Sequence, residues 1–290
     1  MRLDHTRHLN LLFPQWQGSG PSNLLYHGAN ALGVRLEDLD FKTIPVPESE
    51  SLEKKHQILG YASILSQLNH AAALIESHSP KSILVVGGDC SVELAPISFL
   101  NRVLDNSMGL VWLDAHPDLN TPESSPSAHF HGMPLRALLG ETHESILARC
   151  FSILSPDQVI LAGIRDMDLS EQEYIQKKNI TSISVQQMEN DPGILSETVL
   201  KKSFSRIYIH IDLDVLDPAI YPFVKHPTPM GMRPDTLAET IRLMNDIARV
   251  DGLGLVEFTA VPPEEIQKKS LSWHEPLTRI INLFRPCEEN

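Results

Sequence analysis

Residues 83–91 read ILVVGGDCS: four apolar residues, then a glycine turn that carries Asp89 and Cys90. Similar short apolar runs follow, namely GLVWL (109–113), QVILAG (158–163), RIYIHI (206–211) and LGLVEF (253–258), and each ends at a turn or a polar cluster. Between them, 56–78 and 235–250 have helix-like spacing. Apolar strands that alternate with helices predict a parallel sheet covered on both faces, because parallel strands need a crossover and a covering layer. The expected fold is therefore α/β, a three-layer α/β/α domain with a mostly parallel central sheet. No repeat or linker divides 1–290, so one domain is expected. The Pro- and Ser-rich stretch TPESSPSAHFHGMP (121–134) breaks both periodicities and is read as a loop just beyond a strand end.

The chain has 290 residues, 42% of them hydrophobic and 21% charged, with a formal net charge of −13. That balance argues against a nucleic-acid partner, which needs a basic surface to displace phosphate counterions. It suits the holding of cations or cationic small molecules. Three cysteines, Cys90, Cys150 and Cys287, are too few and too scattered for a disulfide framework. The first residues, MRLDHTRHLNLLFPQWQ, have no apolar core of signal-peptide length, and no 18-residue apolar stretch occurs. A cytoplasmic protein with no membrane partner is expected.

The strand ends are rich in carboxylates. GLVWL runs into Asp114-Ala-His116-Pro-Asp118-Leu-Asn120, and RIYIHI into Asp212-Leu-Asp214-Val-Leu-Asp217-Pro218. Ligands of open α/β sheets sit beyond these carboxyl ends. Residues two apart in an extended strand share a face, so Asp114, His116 and Asp118 are expected to point into one cavity, as are Asp212 and Asp214. Converging carboxylates need cations, a shared proton or a metal. Four aspartates and a histidine suit a divalent ion such as manganese, with carboxylates able to bridge two. Any one of these aspartates reads equally as a helix cap or turn residue; two such sets, each ending a buried strand, favour the metal. His70, His78 and His143 lie in helix-like stretches and are read as ordinary helix residues with no convergent partner.

At this point the sequence resembles the ureohydrolase family, whose best-known member is arginase. The matching pieces are GGDCS, VWLDAHPDLNTPESSPSAHFHGMPL, AGIRDMDLSE, IHIDLDVLDP and LVEF, in the family's order. The resemblance implies an arginase-like fold holding two manganese ions, with a bridging hydroxide that attacks a guanidinium carbon to release urea. It implies Asp114 and Asp212 as bridging ligands, Asp118 on the first ion, and His116 and Asp214 on the second. It also implies that Asp118 passes a proton to the leaving amine, that His131 shuttles protons, and that Glu257 holds the guanidinium. Asn120, Ser127 and His129 fall in the loop that reads the α-carboxylate of an amino-acid substrate, and Asp168 and Glu171 match the acids that recognise its α-amino group. Relatives of this kind often assemble as homo-oligomers, trimers or hexamers.

The sequence departs from the family pattern at four places. Cys90 stands where the first ion usually has a histidine. A thiolate there would favour zinc or iron over manganese, and a thiol that merely packs is the open alternative. His129 replaces an asparagine, and Ala128 a glycine that permits unusual backbone angles. Lys225 and His226 replace small residues after DLDVLDP; they read either as plain loop residues or, if they point inward, as cations narrowing the mouth. A ureohydrolase acting on another guanidino or formimino compound is the alternative among enzymes, and a relative that has kept the fold but lost catalysis through an impaired first site is the alternative from another class; the presence of Asp118, His131 and Glu257 argues against the latter.

Overall fold

The computed structural model describes residues 7–259 and 280–282; Cys287 lies outside them. The described residues form ten strands: β1 (His8–Phe13), β2 (Phe41–Thr43), β3 (Lys54–Lys55), β4 (Ile58–Leu59), β5 (Ser82–Gly87), β6 (Gly109–Leu113), β7 (Val159–Ala162), β8 (Thr181–Ile183), β9 (Arg206–Asp212) and β10 (Arg249–Val256). Eight make one sheet in the order β2-β1-β5-β10-β9-β6-β7-β8, and every pairing in it is parallel. β3 and β4 pair separately as an antiparallel hairpin.

The helices are α1 (Leu24–Arg35), α2 (Tyr61–His78), α3 (Leu94–Val103), α4 (Pro134–Leu138), α5 (Glu144–Leu147), α6 (Leu169–Lys178), α7 (Val185–Asn190), α8 (Ile194–Lys201) and α9 (Pro234–Ile247). Side chains on the sheet alternate between two cores, as a two-residue period demands. Leu11, Val85, Trp112 and Tyr208 join α2 to α5 on one face. Leu84, Val86, Val111, Ile209 and Leu255 join α1 and α7 to α9 on the other. The three-layer expectation is met, and the sheet is wholly parallel rather than mostly so.

Two boundaries differ from the sequence reading. The helical stretch at 56–78 begins only at Tyr61, because His56 and Gln57 take left-handed backbone angles at the β3–β4 turn. The one at 235–250 ends at Ile247, and Arg249 and Val250 open β10. Loop 121–134 is irregular as far as His129, turns through a 3-10 segment at Phe130–Gly132, and ends where Pro134 starts α4.

Candidate metal centre

The four innermost strands, β5, β10, β9 and β6, deliver their carboxyl ends side by side. At the end of β5, Gly88 lets the chain pass against β1's continuation, since a Cβ there would lie 1.6 Å from the Gln15 carbonyl oxygen. Asp89 is fully buried and accepts hydrogen bonds from the backbone amides of Gly18 (2.9 Å) and Ser91 (3.0 Å) and from the Gln15 amide (3.1 Å). It thereby caps the 3-10 turn Cys90–Glu93 and turns Cys90 inward. The Cys90 thiol donates to Asp212 Oδ2 at 3.2 Å and lies 3.9 Å from Glu257 Oε1.

Strand alternation does not carry the β6 cluster, because β6 ends at Leu113 and Asp114 to Asp118 lie in a loop. The loop still gathers them. Asp114 Oδ1 accepts the His116 amide (2.6 Å), Asp214 Oδ1 the Ala115 amide (3.0 Å), and Asp212 Oδ1 the Asp214 amide (2.8 Å). Each aspartate thus commits one oxygen to the backbone; the second oxygens of Asp212 and Asp214 meet Cys90 and His116, while that of Asp114 accepts the Trp112 indole N–H at 3.1 Å. Arg165 secures the arrangement by donating to the carbonyls of Asp214 (2.6 Å) and Thr228 (2.7 Å). His116 Nδ1 stands 2.9 Å from Asp214 Oδ2 and 3.6 Å from Asp114 Oδ1.

Three donor groups result, each with its atoms within 4.8 Å of one another: Asp114–His116–Asp214, Cys90–Asp114–Asp118–His210 and Cys90–Asp212–Glu257. Asp118 Oδ2, Glu257 Oε2 and both His210 nitrogens are buried without a hydrogen-bond partner. Buried polar atoms are normally satisfied, so overlapping orphaned donors of this kind fit divalent ions. The electrostatics agree. Burial, then the neighbouring carboxylates, pushes the Asp118 and Asp212 carboxyls and the Cys90 thiol well above their ordinary ranges, and raises Asp214 to about 6. Burial raises Glu257 to about 7, against the pull of Lys225. For Asp114 burial is outweighed by His116 and His210, which hold its carboxyl below the usual range. Burial is likewise outweighed at His116, where Asp114 and Asp214 raise the pKa.

Above these groups opens a cavity of about 230 Å³, lined among others by His116, Asp118, Asn120, Ser127, His129, His131, Asp168, Glu171, His226 and Glu257. Glu257 sits just past β10 with a left-handed backbone (φ 63°), its amide tied to the Gly88 carbonyl at 2.8 Å. His131 Nδ1 is 3.4 Å from Glu257 Oε1, and burial lowers its pKa to about 4. The mouth residues are partly engaged. Asn120 donates to Asp168 Oδ2 (2.8 Å) and accepts from Ser124 (2.7 Å) and Ser170 (3.2 Å). Both Glu171 oxygens take backbone amides, of Leu119 (2.8 Å) and Asp168 (2.9 Å), in the capping box of α6. Asp168 is exposed, and Ser127 Oγ accepts the His129 amide at 3.1 Å.

Lys225 and His226, left open by the sequence, both turn inward. Lys225 Nζ donates to the Ser19 carbonyl and bears on Glu257 and Asp89, and the His226 ring lies 5.0 Å from that of His131. His143 is corrected. It caps α5 and meets partners from α2 and the β3–β4 turn: Tyr61 Oη at 3.0 Å and the His56 ring at 3.9 Å. Sequence reasoning missed His210, taken as part of an apolar run, although its two-residue offset from Asp212 put both on one face.

The arginase family profile matches residues 19–270. An arginase of Staphylococcus aureus is 33% identical over 217 residues, covering 69% of this chain and 70% of its own. One of Bacillus caldovelox is 29% identical over 258 residues, 84% of each chain. The crystal structure of Entamoeba histolytica arginase with L-ornithine superposes with a TM-score of 0.82 over 98% of both chains, at 23% identity. With the profile spanning most of its length and a third of the aligned positions shared with the Staphylococcus aureus enzyme, the chain belongs to the arginase family, hydrolases of guanidino C–N bonds.

Proposed function

We propose that the protein hydrolyses the guanidinium of L-arginine or a related guanidino amino acid to urea and an amine. Two divalent ions, manganese with zinc or iron as alternatives, would be held by Cys90, Asp114, His116, Asp118, Asp212 and Asp214. The observation that carries this reading is the cavity floor, where overlapping donor groups adjoin the Glu257 carboxylate. A divalent ion, when bound there, supplies Lewis acidity and a water that ionises near neutral pH.

The remaining work falls to side chains. Glu257, with one oxygen free of partners, fixes the planar guanidinium by charge-assisted hydrogen bonds. Asp118, whose Oδ2 is equally free, carries a proton to the departing amine nitrogen. His131, neutral at physiological pH because burial holds it near about 4, accepts protons and passes them toward the mouth. The exposed Asp168 carboxylate pairs with the substrate's α-ammonium, while Ser127, His129 and Asn120 surround the α-carboxylate and Glu171 holds Asp168 and Leu119 in register. One sheet supports the whole site, so 1–290 is treated as a single catalytic domain.

Urea release is to be measured with arginine, agmatine and guanidinobutyrate after loading with manganese, zinc or iron. Arginine, which alone has both α-groups, is expected to be turned over fastest. No urea from any of the three with any ion would overturn the proposal.

A further inference from the structure

We infer that His210 is itself a metal ligand: it closes a Cys90–Asp114–Asp118–His210 set around the first ion, with Glu93 behind it fixing the imidazole tautomer. The inference rests on the metal-centre reading above and goes further by naming a ligand from inside β9 and the class of ion it selects.

His210 is fully buried, and neither ring nitrogen has a hydrogen-bond partner. Its Nε2 faces the donor group, 3.7 Å from Asp114 Oδ2. Ligands held at roughly 2.0–2.3 Å in a tetrahedron stand roughly 3.3–3.7 Å apart, so little movement is needed to enclose an ion. The ring cannot swing away, because it stacks on Trp112 with centroids 3.5 Å apart and planes 12° from parallel.

The opposite nitrogen is equally prepared. Nδ1 lies 3.7 Å from Glu93 Oε1, a fully buried carboxylate oxygen that also lacks a partner, while Tyr208 Oη donates to Glu93 Oε2. β10 makes room for this relay with two glycines. A Cβ on Gly254 would lie 1.4 Å from Glu93 Oε1, and one on Gly252 would lie 2.1 Å from the Tyr208 ring. Metal-bound histidines regularly give their second N–H to such a carboxylate, which sets the tautomer and strengthens the ligand.

The resulting set has one sulfur, one nitrogen and two carboxylates. It suits a borderline-soft ion such as zinc better than manganese. On binding, the Cys90 thiol surrenders its proton to solvent, and His210 ligates as the neutral imidazole with its remaining proton toward Glu93. The rival arrangement is an imidazolium that stays charged between Asp114 and Glu93 and replaces an ion rather than binding one.

The test compares full-length wild-type protein with His210→Gln, Glu93→Gln and Cys90→Ser, all stripped by chelator and titrated with zinc, manganese and cobalt. Ions per chain, affinities and the cobalt absorption spectrum are recorded. Wild type is expected to bind two ions, zinc tighter than manganese at the first, with a thiolate-to-cobalt charge-transfer band. His210→Gln and Cys90→Ser should each lose the first ion or weaken it by about 100-fold while keeping the second, and Glu93→Gln should weaken it by about 10–100-fold. Two ions held at wild-type affinity by His210→Gln, or held more tightly, would overturn the inference and identify the imidazolium arrangement. Should that variant not fold, X-ray absorption on zinc-loaded wild type decides: sulfur and imidazole scatterers on the tighter zinc support the inference, oxygen scatterers alone overturn it. A wild-type protein that binds no divalent ion would sink the metal-centre reading as well, so the two failures are distinct.

Discussion

In the proposed reaction, Asp118 is the side chain on which turnover depends and folding does not. Burial and the neighbouring Asp114 charge raise its carboxyl, so in the metal-free protein it is a source of repulsion rather than of stability. Asp118→Ala is therefore expected to reduce urea release by at least about 10²-fold, with Asp214→Ala behaving alike. The melting temperature of the metal-free Asp118→Ala variant should be unchanged or higher; a collapse of the fold, or near-normal turnover, would contradict the assignment. Ala128 offers a second test. It is buried at φ 61°, and its carbonyl accepts the Leu59 amide at 2.9 Å. A left-handed conformation costs an L-residue about 1–2 kcal/mol, against about 0.4–1 kcal/mol for the extra freedom of glycine in the unfolded chain. Ala128→Gly should thus stabilise the protein by about 0.5 kcal/mol, measurable by denaturant titration. Asp114, His116, Asp118, Asp212 and Asp214 were legible as a group because polar clusters directly follow apolar runs. His210 was not, because one histidine among isoleucines reads as core unless the strand's period is followed to Asp212.

At the scale of elements, the five strands found from sequence are those whose apolar runs are continuous, which is the mark of a strand covered on both faces. β2 (FKT) and β8 (TSI) escaped because they are three-residue outer strands with polar residues and no run to detect. β1 escaped because His8 and Asn10, hydrogen-bonded to each other at 2.9 Å, interrupt its apolar pattern. The glycines of β10 look like weak points in a strand, since glycine there normally loosens it. Their reason is the Glu93 and Tyr208 side chains lying across them. Gly254→Ala is accordingly expected to destabilise by about 1–3 kcal/mol or more, and combining it with Glu93→Ala should recover much of the loss. Equal melting temperatures for Gly254→Ala and wild type would show the side-chain space to be unneeded.

For the whole molecule, the buried carboxylates predict an unusual pH response in the metal-free state. Burial raises Glu171 and Glu257 from 4.5 to about 7, so both carry more protons folded than unfolded. Their contribution is present below pH 4.5 and is lost as pH rises through 7. The raised His116 and His210 act in the same sense above 6.5 and offset His131 and His226, which are lowered to about 4 and about 3 and pull the other way until their unfolded imidazoles have lost their protons above 6.5. With chelator present, the melting temperature should fall between pH 6.5 and 7.5; with zinc or manganese, which favour ionised carboxylates, the fall should vanish or reverse. A flat chelator curve would mean these groups are not buried as described. The donors also come from the ends of β5, β6, β9 and β10, separated by up to most of the chain. No early hairpin or single helix can therefore capture an ion; the inner half of the sheet must assemble first. Ions added during renaturation should leave the forward rate nearly untouched and act instead as a late latch, slowing the reverse reaction.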